Sequence, residues 1–256
     1  MPKSKKEQYH KRKLRIIDEN APFPFVEAYK SLRTNVDFLA SDNNYHTILI
    51  TSAGPWDGKS TVAINLAIAM ADSGKKVVLV DGDLRKGSIA RYLKIGRGTD
   101  GITSVLSGRK ELQSVILHIE NLGFDVLTVG SLPTNPAEIV GSNKMIKIIQ
   151  QLSELYDYVF IDSPPVSVVT DAAVLSRYVD GVILVVRADE TTKQEVYTSK
   201  QALEDVNANI LGAVLNAYDM KKHSYGGGYY SYRYEYGGYG RRPDKKGTKN
   251  KTGEKK

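Results

Sequence analysis

The sequence predicts an α/β protein with a mostly parallel sheet flanked by helices, and three observations lead there. Apolar runs rich in β-branched residues alternate with segments of helical period, which is the pattern of βα units. Two of those runs end on aspartates, Asp81 and Asp162, where open α/β sheets present ligand-binding groups. A glycine-containing turn joins another run directly to a helix. In chain order, Val26, Tyr29, Leu32, Val36 and Leu39 step by three or four, so residues 24–40 read as an amphipathic helix. Residues 47–51 are the first strand. Residues 59–74 form a helix with Val62, Leu66, Ala69 and Met70 on one face and Gly74 as its C-cap. Residues 76–81 and 158–162 are strands, and 124–129 is a weaker one. Helical stretches beginning near Thr170 and Thr192 precede strands at 181–187 and 210–216. Five or six strands are expected.

After Asn216 the composition breaks. Residues 225–239 hold seven of the 16 tyrosines and five glycines, with no aliphatic residue to build a core, so a flexible tyrosine-rich tail is expected. Three regions follow: a basic arm at 1–21, a folded domain at 22–218, and a tyrosine cluster with a basic tail at 219–256.

Composition limits the possible functions. With 256 residues, 41% hydrophobic and 25% charged, the chain is long enough for a continuous core. No run approaches the ~18 apolar residues of a spanning helix. Zero cysteines exclude disulfides, thiolate metal sites and cysteine nucleophiles, and the charged start lacks the apolar core of a secretory signal, so a cytoplasmic location is expected. Residues 1–15 and 241–256 each carry +6 of a net charge of +7, which leaves −5 on the 225 residues between them. Basic ends around an acidic body read as solvated termini, or as tethers to an anionic membrane or acidic partner. No nucleic acid partner is expected.

The chemistry concentrates at Ala53-Gly54-Pro55-Trp56-Asp57-Gly58-Lys59-Ser60-Thr61, between a strand and a helix. That is the context of a phosphate-binding loop. Backbone N–H groups face the phosphates, Lys59 reaches the β and γ oxygens, Ser60 ligates Mg²⁺, and Thr61 contacts the α-phosphate. The fold expected is therefore P-loop NTPase-like, with ATP and Mg²⁺ as cofactors. Asp81 and Asp83, two residues apart at a strand end, suit holding a hydrated metal and accepting a proton. Asp162 faces the metal from its own strand end. Asp81 is the candidate base and Asp83 a metal-organising residue, although the two roles are exchangeable at this stage. Arg85 reads as a partner of phosphates or of these carboxylates. Asn216 is either an adenine contact or a strand-end turn residue, and Asp171 reads as a helix cap.

These residues resemble the bacterial tyrosine kinases (BY-kinases) that regulate capsule and exopolysaccharide assembly, over residues ~22–240. The family's Walker A loop is matched from Ala53 to Ser60, its Walker A′ motif by Asp81, Asp83 and Arg85, and its Walker B by Ile161, Asp162 and Pro165. Its terminal cluster is matched by Tyr225, Tyr229, Tyr230, Tyr232, Tyr234, Tyr236 and Tyr239. Two departures stand out. The usual Pro-Gly-Glu-Gly-Lys is Pro55-Trp56-Asp57-Gly58-Lys59, and the family's Glu-x2-Arg-x2-Arg oligomerisation motif is Glu27-x2-Lys30-x2-Arg33. The resemblance implies ATP-dependent phosphorylation of the chain's own tail tyrosines and a ring-shaped homo-octamer built through Glu27, Lys30 and Arg33. It also implies a separate transmembrane chain-length regulator whose cytoplasmic tail activates the kinase at the inner face of the membrane. Further expected partners are a protein-tyrosine phosphatase and protein substrates in polysaccharide synthesis. The alternative is a MinD/ParA-type partition ATPase. That type carries a lysine five positions before the loop lysine, where this chain has Gly54, and lacks the tyrosine tail.

Overall fold

The computed structural model describes residues 15–96 and 98–219. In chain order the elements are α1 (Phe23–Asn43), β1 (Thr47–Ser52), α2 (Lys59–Ala71), β2 (Val77–Asp81), α3 (Ile89–Tyr92) and α4 (Ile102–Leu106). A 3₁₀ turn, Leu112–Val115, leads into β3 (Leu117–Ile119), β4 (Phe124–Leu127), α5 (Pro136–Val140), α6 (Asn143–Leu155) and β5 (Tyr158–Asp162). The chain continues through α7 (Asp171–Leu175), a second 3₁₀ turn, β6 (Gly181–Arg187), α8 (Lys193–Glu204) and β7 (Ile210–Asn216).

The strands form one sheet in the order β3-β4-β2-β5-β1-β6-β7, parallel throughout except for the antiparallel β3–β4 pair. Strands β1, β2 and β5 are buried along their whole length. A strand covered on both faces has no polar face, which is why these runs are continuously apolar. Alternate residues supply two cores. Leu49, Val78, Val80, Val159 and Ile161 pack under α6 and α7, whereas Ile48, Ile50, Leu79 and Phe160 pack under α2. Each such side chain contributes about 1.5–3 kcal/mol on burial.

Three local expectations are corrected. The sheet has seven strands, because β3 is only three residues long and too short to show alternation. Helix α2 ends at Ala71, and Gly74, with φ +86°, closes the following turn by donating its N–H to Ala71. On α1, Tyr29, Val36 and Ala40 are buried while Leu39 is exposed, since the helix lies on one side of the body and covers only a narrow stripe. Helix α6 adds an element that the strand pattern did not single out. Met145, Ile148, Ile149 and Leu152 are its buried stripe, and the Ser142 side chain caps it by accepting from the Met145 N–H.

Helix α1 is fastened by polar contacts. The Tyr158 hydroxyl donates to Asp37 at 2.6 Å, Lys75 lies 3.3 Å from the same carboxylate, and Arg33 donates to the Ala69 carbonyl. The end of the basic arm belongs to the body. Buried Asn65 accepts the Ile17 N–H and donates to the carbonyls of Arg15 and Thr61.

The start of β1 is set by Asp180, one of whose carboxylate oxygens accepts from the His46 N–H, the Thr47 N–H and the Thr47 hydroxyl at 2.7–2.8 Å. Asp180→Ala is expected to lower the unfolding free energy by roughly 2–3 kcal/mol, read as a lower urea midpoint, with Asp180→Asn recovering part of it.

Candidate functional site

The loop between β1 and α2 is braced from its flanks. Gly58, with φ +94°, closes it, and a Cβ there would lie 2.0 Å from Asn216 Nδ2, so only glycine fits. Asn216 donates to the Asp57 carbonyl at 2.7 Å, which ties the end of β7 to the loop as a strand-end contact. The Asp57 carboxylate is buried, accepts from the Gly54 N–H at 2.7 Å and from the Thr191 hydroxyl at 3.0 Å, and is pushed above the usual carboxylate range by burial. Its side chain therefore holds the loop's shape. Ala53 is buried at the end of the strand, and Pro55 and Trp56 form the exposed tip.

Trp56 has φ +71° and is 47% exposed, and Arg187 donates to its carbonyl at 3.4 Å. For a residue with a Cβ, this left-handed backbone costs about 1–2 kcal/mol. The geometry explains why a glycine suits that position in the loop that the sequence resembles.

At the start of α2 the charged groups meet. Ser60 donates to Asp162 at 2.6 Å, Lys59 Nζ lies 3.5 Å from the other Asp162 oxygen and 3.3 Å from Ser60 Oγ, and the Ser88 hydroxyl stands 3.2 Å from that of Ser60. Burial disfavours the Lys59 charge, but Asp162, Asp83 and Asp81 outweigh it and hold the ammonium above its ordinary pKa. Asp162 is fully buried, and desolvation raises its carboxyl against the pull of Lys59 and Ser60. Thr61 follows in the first turn of α2.

The turn after β2 brings Asp81 and Asp83 beside this group. Parallel pairing sets Asp81 opposite Asp162. Asp81 accepts from the Ile89 N–H at 2.9 Å and the Asp83 N–H at 3.3 Å. Its burial, reinforced by the Asp162 charge and offset in part by the Ile89 N–H and Lys59, pushes its carboxyl up to about 8. Asp83 accepts the N–H groups of Arg85 and Lys86. Gly82 is obligatory between them, since a Cβ there would lie 2.8 Å from Ile161 and 3.0 Å from the Asp162 carbonyl.

Arg85 does not pair with these carboxylates. Its guanidinium forks onto Asp171 at 2.8 and 2.9 Å, and Asp171 is a buried acceptor at the start of α7 in place of the expected helix cap. The reading from sequence missed this pair, along with Gly82, Ser88 and Thr191. Only the Asp-x-Asp-x-Arg spacing hinted that Arg85 had a fixed partner.

The remaining candidates lie elsewhere. Glu27 and Lys30 pair within α1 at 2.9 Å, one turn before Arg33. Tyr225, Tyr229, Tyr230, Tyr232, Tyr234, Tyr236 and Tyr239 lie outside the described residues. Among the described residues no three carboxylates or imidazoles converge into a metal cage of their own. A magnesium that draws most of its ligands from phosphate and water needs only one or two protein oxygens, and Ser60 with the nearby aspartates supplies such a set.

The titration of Asp81 gives a test. A folded value of about 8, above the ordinary carboxylate value, means that the native state holds this proton more tightly than the unfolded chain does. The ionisation penalty is absent below about pH 4 and grows as pH rises through 8. Asp81→Asn removes it, so its melting temperature relative to the unsubstituted protein should rise steadily from pH 4 to 8. A pH-independent difference would contradict the assignment.

A family model described as ParA, NUBPL iron-transfer P-loop NTPase, matches residues 43–238. This cysteine-free chain has no thiolates to offer iron. Tyrosine-protein kinase YwqD of Bacillus subtilis is 38% identical over 216 residues, which are 84% of this chain and 86% of YwqD. A putative tyrosine-protein kinase in the cps region of Klebsiella pneumoniae is 35% identical over 204 residues, 80% of this chain but 28% of that longer protein. The solved kinase domain of Escherichia coli tyrosine kinase ETK superposes with a TM-score of 0.72 at 34% identity, covering 90% of this chain and 93% of that one. By sequence and by fold, the chain belongs to the bacterial tyrosine kinases, within the P-loop NTPases.

Proposed function

We propose that this chain is an ATP-dependent protein-tyrosine kinase that phosphorylates the tyrosine cluster at 225–239 and acts in capsule or exopolysaccharide assembly. The observation that carries the reading is the meeting of Lys59, Ser60 and Asp162 within 2.6–3.5 Å, with Asp81 paired opposite Asp162 and Asp83 two residues on. The donors fit a magnesium nucleotide. Lys59 and the N–H groups opening α2 would hold the phosphate oxygens, and Ser60, Asp162 and the Asp81–Asp83 turn would offer hard oxygen ligands to the metal. When bound, the metal neutralises charge on the β and γ oxygens.

In the reaction a tyrosine oxygen bonds to the γ-phosphorus, the bond to the bridging oxygen breaks, and ADP leaves. The phenolic proton passes to a carboxylate. Asp81 is the candidate base, because parallel register sets it opposite Asp162 and two residues before Asp83. Asp83 then organises the metal. Gly54 and Gly58 keep the loop open to phosphates, and Asn216 keeps it in shape. A MinD/ParA-type ATPase shares this fold, but Gly54 stands where that type carries its lysine, and the tyrosine cluster has no use in it.

Among the described residues no helix is long and apolar enough to cross a membrane. Recruitment to the inner face through a transmembrane activator with a cytoplasmic tail, resetting by a phosphatase, and a ring of copies joined through Glu27, Lys30 and Arg33 complete the proposal.

With ATP and Mg²⁺, the purified chain should gain phosphotyrosine, and Lys59→Met, Asp81→Ala or Asp162→Ala should each lower it to background while retaining the far-UV circular dichroism of the fold. The Lys59 variant is expected to stay folded because this side chain lies outside both apolar cores. Changing all seven cluster tyrosines to Phe should remove most labelling and spare ATP binding. Undiminished labelling of that variant would contradict the assigned acceptors.

A further inference from the structure

A second concave site lies away from the phosphate loop. Between α4, the loop leaving β4 and the start of α6 is a cavity of about 410 Å³, within the range of small-ligand sites. Leu106, Leu132, Pro133 and Ile139 give it an apolar wall. Leu132 is 55% exposed, although Val129 in the same loop is buried. Arg109 and Lys144 supply two cations, with the hydroxyls of Ser107 and Ser142 beside them.

The cations are oriented without being used up. Arg109 Nε donates to Ser107 at 2.9 Å, and Lys144 Nζ donates to the Leu106 carbonyl at 2.8 Å. A guanidinium has four further N–H donors and an ammonium two. Of two nearby carboxylates, Asp100 is held by Ser104 and Lys110 with Arg109 a weaker electrostatic neighbour, and Glu138 is held by Asn135. The wall is also firm. Helix α4 is stitched to the β4 loop by Ile102 N–H to Thr128, Thr103 N–H to Val129 and the Thr103 hydroxyl to Val129, all at 2.9–3.1 Å. The cavity borders the chemistry as well, since a Cβ on Gly87, in the turn that carries Asp81 and Asp83, would lie 3.3–3.6 Å from Val129 and Leu132.

An apolar wall that accepts an aromatic ring, with two oriented cations, is the chemistry that recognises a phosphorylated ring. We infer that this cavity is a phosphotyrosine-binding site that holds an already phosphorylated tyrosine of the 225–239 segment, from its own or a second copy, and so keeps the remaining tyrosines beside Asp81 and Asp83. The inference rests on the kinase reading for the source of its ligand. The segment's composition selects it as the occupant. It carries one arginine and one glutamate, so it has no net charge to offer the cations until it is phosphorylated, and each phosphate then adds about −1.5 to −2. Its tyrosines are spaced one to four residues apart, and at about 3.3–3.6 Å per extended residue they present acceptors at many distances from an anchored one. Anchoring makes later transfers faster than the first, so phosphorylation of the cluster accelerates once begun.

The test is binding, with no ATP present, of a fluorescent peptide of residues 225–239 to the phosphatase-treated full chain, with Tyr232 phosphorylated or not. The phosphopeptide is expected to bind at least tenfold more tightly than the plain peptide, and Arg109→Ala with Lys144→Ala should lose at least tenfold of that affinity while melting normally. Lys110→Ala, removing a neighbouring cation paired outside the cavity, should change it less than twofold. Free phosphotyrosine should compete better than inorganic phosphate at equal concentration. Equal binding of the two peptides, an unaffected double variant, an equal loss with Lys110→Ala, or equal competition by phosphate would each overturn the inference. A chain that binds the phosphopeptide through these residues yet makes no phosphotyrosine from ATP leaves the site standing and fails the kinase reading alone.

Discussion

The buried carboxylate of Asp162 and the two groups that meet it hold the working end of this molecule together. Asp162 ends β5, between β2 and β1 at the centre of the sheet, and its oxygens receive Ser60 and Lys59 from the first turn of α2. A carboxylate without exposure to water is tolerable only when paired. The pairing fixes where α2 begins, and hence where the loop amides point. Parallel register then sets Asp81 opposite Asp162, so the turn carrying Asp83 is delivered to the same spot. Asp162, Asp83 and Asp81 all act on the one Lys59 ammonium, which leaves the cluster short of positive charge; a magnesium ion would supply it, while Lys59 and the loop amides would meet the anionic phosphates of the nucleotide.

The surrounding structure supports this unfavourable concentration of charge. Thr191 in the β6–α8 turn braces the loop through Asp57, Asn216 braces it from β7, and Arg85 with Asp171 clamps the Asp81–Asp83 turn to α7. These contacts compensate for a tryptophan in left-handed backbone and an aspartate raised toward 8. Strain and perturbed titration gathered at one strand end, over an otherwise apolar core, are what a catalytic site imposes on a fold.

Much of this was legible in the sequence because the determinants are local. Strands buried on both faces must be apolar throughout, so β1, β2 and β5 announce themselves, and a Gly-Lys-Ser junction between strand and helix has few other uses. What stayed hidden was short or distant in sequence. β3 has three residues, too few for a period. Asp171 lies 86 residues from Arg85, Thr191 134 from Asp57, and Asn216 159 from Asp57, so no spacing rule links them. The exposure of Leu39 in place of Ala40 depends on how α1 lies against α2, which periodicity leaves open by one position. Helix α6 is legible in Met145, Ile148, Ile149 and Leu152 with Ser142 before them, a stripe less conspicuous than the continuous apolar strand that follows it.

The claim that Asp162 anchors a charge cluster completed by a metal nucleotide is tested most directly by thermal unfolding with ADP, with and without Mg²⁺, in the unsubstituted chain and in Asp162→Asn. The account predicts that ADP raises the melting temperature of the unsubstituted chain by several degrees more when Mg²⁺ is present, and that this metal-dependent increment disappears in Asp162→Asn. An increment of equal size in both proteins, or stabilisation by ADP that is indifferent to Mg²⁺, would contradict it.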